Sequence, residues 1–138
     1  MDLERRNSMF NRKGLQLGKI CEKDNIPYVK GTDKRVAWSM DEYLAAILRD
    51  YIRMVEKDEY HIGSAVLDDG WNPLLGKTIA EENDEELSKK WHDLLLDTAN
   101  MFDMYLIKKD RLDTDFDFNA LLDNAFNNMK EIFMDLWV

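Results

Sequence analysis

The sequence predicts an all-α fold, a three- or four-helix bundle with a basic, partly extended N-terminal arm and a long loop between its first and second well-defined helices. Three observations predict it. The 138 residues hold two prolines and six glycines, too little turn punctuation for a β-rich domain, and eight methionines with abundant leucine favour helix. Two S/T-x-x-E patterns, Ser39 with Glu42 and Thr78 with Glu81, read as capping boxes that satisfy the orphaned N–H groups of a helix start. Apolar residues then recur at helical spacing over three stretches. The length suits one domain, 1–138, made of a basic arm (1–38) and an acidic helical body (39–138).

In the arm, Leu3, Phe10, Leu17, Ile20 and Cys21 share a helical face, a weak helix because Gly14 and Gly18 each cost about 1 kcal/mol relative to Ala. "NIPYVKGTDK" (25–34) follows as an extended, turn-rich connector. The first strong helix spans 40–58 and presents Leu44, Ile47, Leu48, Tyr51, Ile52 and Val55 on one side. Residues 59–80 form the long loop, broken by Asp69-Gly70, Asn72-Pro73 and Gly76; loops of that length in a compact domain are often functional.

The longest helix covers about 79–108. Leu87, Trp91, Leu94, Thr98, Met101 and Tyr105 form its stripe, and Leu95, Ala99, Phe102 and Leu106 broaden it. Its opposite face carries Glu86, Lys90, Asp93, Asp97 and Asn100 towards solvent. A last helix, 116–137, aligns Phe118, Leu122, Ala125, Met129, Ile132 and Leu136, with Leu121, Phe126, Phe133 and Trp137 beside them. A short connection between these two helices implies an antiparallel αα-hairpin. The breadth of the stripes allows a homo-oligomer.

Charge narrows the function. Residues 1–38 hold nine Lys/Arg against five Asp/Glu, a net of +4, and residues 39–138 hold ten against twenty-three, a net of −13. An acidic body disfavours direct nucleic-acid binding, which needs cationic neutralisation of phosphates. It favours a basic protein partner. One cysteine and two histidines rule out an internal disulfide and leave too few soft ligands for a Cys/His zinc site. No apolar run reaches the ~18 residues of a membrane span, and the start "MDLERRNSMFNRKG" lacks the apolar core of an export signal, so a cytoplasmic setting is expected.

Four stretches invite a chemical reading. In "TIAEENDEEL" (78–87), Glu82 and Glu85 have the E-x-x-E spacing with which helical nucleotide pyrophosphohydrolases hold Mg²⁺. The second acidic pair such a site needs is reduced to Asn100-x-x-Asp103. Acids at a helix N-terminus also simply complement its dipole, and Glu85–Lys89 and Glu86–Lys90 are i,i+4 pairs. "GWNPLLGKT" (70–78) has five residues between its glycines where a phosphate-binding loop needs four. "DTDFDFN" (113–119) sets Asp113, Asp115 and Asp117 at alternating positions of a Ca²⁺ loop, with Phe118 where Gly is needed and Asn124 where Glu should close the site. Those acids serve more simply as helix caps. His61 and His92 stand in no nucleophile motif.

"RVAWSMDEYLAAILRDYI" (35–52) and "KKWHDLLLDTANMFDMYLI" (89–107) resemble small uncharacterised bacteriophage-encoded helical proteins that pair a W-S-x-D-x-x-[LI]-A helix with a later W-x-x-[LI]-L-x-x-[AM] helix. The resemblance covers about half of the chain and rests on Trp38, Ser39, Asp41, Leu44, Ala45, Trp91, Leu94, Leu95, Thr98 and Phe102, with Thr98 departing from the usual apolar residue. It implies phage origin and action in a bacterial cytoplasm.

The expectation is therefore a non-enzymatic interaction protein that needs no cofactor. Its acidic surface, Glu82, Glu85, Glu86, Asp93 and Asp97, would bind a host or phage protein, for example as an inhibitor of a nucleic-acid-acting defence enzyme. Two alternatives stand beside it. One is a Mg²⁺-dependent, pyrophosphohydrolase-like enzyme using Glu82, Glu85 and Asp103, with Mg²⁺ or Ca²⁺ also conceivable at Asp113, Asp115 and Asp117; the other is a virion or assembly component.

Overall fold

The structure is a computed structural model and describes residues 15–57, 61–62, 78–79 and 85–136, the side chains of 61–62 and 78–79 excepted. The described chain is mostly helical and carries a small antiparallel hairpin that the sequence reading did not anticipate. It divides into two compact units, Met1–Leu44 and Ala45–Val138.

In the first unit, β1 (Lys19–Lys23) and β2 (Ile26–Lys30) pair antiparallel, Lys19 opposite Lys30 and Lys23 opposite Ile26. This replaces the arm helix predicted through Leu17, Ile20 and Cys21; Leu3 and Phe10 lie outside the described residues. The reason is local. Asp24 (φ 54°) and Asn25 (φ 67°) both occupy the left-handed region, which their short polar side chains tolerate, and so form a two-residue loop whose twist matches the strands. Gly18 (φ 94°) extends the match, since a Cβ there would stand 2.6 Å from Thr32 Oγ1. Thr32 Oγ1 donates to the Leu17 carbonyl at 2.8 Å, and the Asp33 N–H donates to the Gln16 carbonyl at 3.0 Å, so the ends of the hairpin are tied as well.

A 3₁₀ segment, Lys34–Ser39, leads directly into α1 (Met40–Glu56). The α-helix begins at Met40, directly after Ser39 as predicted, but the 3₁₀ segment extends the helical run towards the N-terminus, so Ser39 and Glu42 are buried within that run rather than at its outer end. Its cap is Asp33, whose carboxylate accepts from the Arg35 N–H at 2.9 Å and meets the Arg35 guanidinium at 2.8 Å. The Arg35 side-chain hydrogen bond, then its backbone one, lower the Asp33 pKa to about 2.

The second unit contains the rest of α1, β3 (His61–Ile62), β4 (Thr78–Ile79), α2 (Glu85–Asp110) and α3 (Phe118–Ile132), which ends in a 3₁₀ turn, Phe133–Asp135. Thr78 pairs with Ile62 across β3 and β4, so it does not cap α2, which begins six residues after Ile79. Residues 80–84 lie outside the described residues, as do 63–77 of the predicted loop.

The core gathers Ala45, Ile52 and Val55 of α1, Trp91, Leu95, Ala99, Phe102 and Tyr105 of α2, and Ala125, Met129 and Ile132 of α3. Each large apolar side chain buried there contributes about 1.5–3 kcal/mol. The α2 stripe and the α3 line Phe118, Leu122, Ala125, Met129, Ile132 and Leu136 pack as the sequence predicts, whereas Phe126 and Phe133, expected beside that line, are 55% and 67% exposed, and Trp137 lies outside the described residues. Tyr105 meets Phe118 and Phe102 meets Phe126 edge to face, both with centroids 5.7 Å apart. The α1 stripe is corrected: Leu44, Ile47 and Tyr51 are exposed, while Ala45 is buried with Ile52 and Val55.

Helix α2 stops in a Schellman motif. The Asp113 N–H donates to the Lys108 carbonyl and the Leu112 N–H to the Lys109 carbonyl, both at 3.2 Å, with Leu112 (φ 52°) at the left-handed position usually held by Gly. Asp117 then caps α3, accepting from the Ala120 N–H at 3.0 Å. Because Leu112 is 40% exposed and packs little, Leu112→Gly is expected to raise stability by about 0.5–1 kcal/mol. A higher urea midpoint at unchanged slope is the expected result, and a lower midpoint would show that the Leu112 side chain matters more than its backbone strain.

Candidate functional site

Helix α2 has two sides of opposite character. Trp91, Leu95, Thr98, Ala99 and Phe102 are buried, and the Thr98 hydroxyl is satisfied within the helix by donating to the Leu94 carbonyl at 2.7 Å. On the other side Glu85, Glu86, Asp93 and Asp97 are all exposed. Residues 86, 93 and 97 recur at seven and four, which places them along one line of the helix. Glu85 and Glu86 stand in the first turn, where the helix dipole favours negative charge. Glu82 lies outside the described residues.

Two lysines interleave with this row. Lys89 Nζ lies 2.6 Å from Asp93 Oδ2, and that hydrogen bond raises the Lys89 pKa. Lys90 Nζ lies 3.9 Å from Glu86 Oε1, as the i,i+4 spacing implies. Lys89 thus turns towards Asp93 rather than the predicted Glu85. All four side chains in these pairs are more than half exposed, a setting in which ion pairs contribute little and rearrange readily.

The metal candidates are not brought together. Glu85 and Asp103 stand 18 residues apart on one helix, a separation of ~27 Å. Asp103 is instead held by α1: Arg49 Nη1 lies 2.9 Å from Oδ1, and Arg53 Nη2 lies 3.9 Å from Oδ2. Arg49 also reaches Asp50 at 2.8 Å, and the bond to Asp50, then that to Asp103, raise the Arg49 pKa. In the α2–α3 connection, Asp113 pairs with Lys108 at 3.2 Å, Asp117 is the α3 cap, and Asp115 is exposed. Among the described residues no three His, Cys, Asp or Glu converge as a cation would require. His92 Nδ1 lies 3.4 Å from Glu56 Oε1, a second polar tie between α1 and α2.

The sequence reading missed a second charged surface. The β1–β2 register puts Lys19, Lys23 and Lys30 on one face of the hairpin with Cys21, Ile26 and Tyr28. Its signal was present as Asp24-Asn25 between two five-residue segments, but a turn without Gly is a weaker hairpin cue. No family model matches the chain, and neither a curated protein nor a solved structure matches it.

Proposed function

We propose that the chain is a non-enzymatic interaction protein whose acidic α2 face, Glu85, Glu86, Asp93 and Asp97, binds a basic protein surface. The observation that supports this reading is the placement of an exposed carboxylate row on the back of a helix whose other side is anchored in the core by Trp91, Leu95 and Phe102. A row fixed in that way loses little freedom on binding, and its field speeds encounter with a cationic partner. Spaced carboxylates on a rigid helix can also stand in for phosphates. The finer form of the proposal is therefore a phage-type inhibitor that occupies the nucleic-acid groove of a defence enzyme in a bacterial cytoplasm.

The test compares the wild-type chain with Asp93→Lys/Asp97→Lys as bait in bacterial extract, followed by mass spectrometry and a salt titration. A protein retained by the wild type, released by salt and absent from the reversed bait is expected. Recovery of the same proteins by both baits would sink the reading. For the finer form, duplex DNA should compete with the bait for the retained protein, and a lack of competition would remove the phosphate-mimic form alone.

A further inference from the structure

We propose that the lysine face of the β1–β2 hairpin docks on the acidic α2 face of a second copy of this chain, an inference that rests on the reading of that α2 face given above. The hairpin is an unusual thing to leave in water. On the lysine face Ile26 is 67% exposed and Tyr28 45%, and a two-stranded ribbon by itself is only marginally stable. Lys19 also stands directly opposite Lys30, a like-charge cross-strand pair that destabilises the hairpin until a counter-charge reaches it.

The strand edges are poor places for a partner, which leaves the faces. With a two-residue loop, Lys23 and Ile26 form the hydrogen-bonded pair next to the turn, so Glu22 and Pro27 form the following non-hydrogen-bonded pair. The Pro27 nitrogen then points to the outer edge of β2, where it has no proton to offer. The outer edge of β1 is flanked by Lys19 and Lys23, which discourage strand addition.

Charge selects the occupant. The lysine face is complementary to an acidic surface, and residues 39–138 of a second copy, which carry −13, supply one in the Asp93/Asp97 row of α2. The spacings agree. Lys19 and Lys30 lie ~5.5 Å apart across the ladder and Lys23 ~13 Å along the strand. On α2, Asp93 and Asp97 lie ~6 Å apart with Glu86 ~10 Å further along. Two lysines can face Asp93 and Asp97 while the third approaches Glu86, and the exposed Lys89 and Lys90 pairs yield at little cost.

Sedimentation of the full chain tests this. At low salt the weight-average mass should rise with concentration above the 16.3 kDa of one chain, and high salt should return it to that value. Lys19→Glu/Lys30→Glu should weaken association at least about tenfold, and mixing it with Asp93→Lys/Asp97→Lys should restore association between the two variants. A chain that stays monomeric at every salt and concentration overturns the proposal, as does a mixture that fails to associate. Hairpin-dependent retention of an oligonucleotide by a monomer also overturns it, in favour of nucleic acid. A poly-lysine peptide that binds the wild type and not Asp93→Lys/Asp97→Lys would show that the α2 reading survives even then.

Discussion

Trp91→Ala is expected to destabilise the protein by about 3–5 kcal/mol, a large share of the roughly 5–15 kcal/mol that holds a domain of this size together. Trp91 is fully buried at the centre of the α1, α2 and α3 core, among the largest side chains there, so truncation leaves a cavity that the surrounding helices refill only in part. Its indole makes the prediction more specific. Nε1 is buried with no hydrogen-bond partner among the described residues, so the native state already bears the desolvation of that donor, about 1–3 kcal/mol. Trp91→Phe removes the donor together with part of the ring, and the gain offsets much of the lost packing. Urea denaturation followed by circular dichroism should rank wild type, then Phe, then Ala, with Phe losing less than half of what Ala loses. If Phe proved as costly as Ala, the indole N–H would have to be making a bond that stabilises the core.

The legibility of this fold follows the strength of its periodicities. Helices α2 and α3 were readable because their core stripes run unbroken over several turns, although the exposed Leu96, Met104 and Phe126 show that the outward faces are less regular. The acidic row was readable for the same reason, since Glu86, Asp93 and Asp97 fall outside the stripe at any reasonable helix phase. The hairpin was not, because Leu17, Ile20 and Cys21 fit a helical spacing about as well as a strand one, and the positive φ of Asp24 and Asn25 is a backbone property that neither residue announces alone. Thr78 shows a different failure. Its capping pattern is correct as local chemistry, but Thr78 and Ile79 are extended and paired with Ile62 and His61, so tertiary pairing overrides the local preference.

The second large effect separates two isoleucines that the sequence pattern treats as equals. Ile52→Ala should cost about 2–5 kcal/mol, and Ile47→Ala less than about 1 kcal/mol. Ile52 is fully buried and Ile47 is 46% exposed, because the inward face of α1 is turned by roughly half a right angle from the apolar stripe. The cause lies on α2. Arg49 and Arg53 reach Asp103, and Glu56 reaches His92, so the side of α1 that a hydropathy pattern assigns to water is drawn onto its neighbour by ionic partners. Arg49 and Asp103 are 23% and 34% exposed, which leaves their pair only partly screened, and its aliphatic stem lets Arg49 lie against the helix it joins. Matched urea curves for the two alanine variants check the assignment. Equal losses would place Ile47 in a covered surface and Ile52 no deeper than it, and the rotated face would then have to be abandoned.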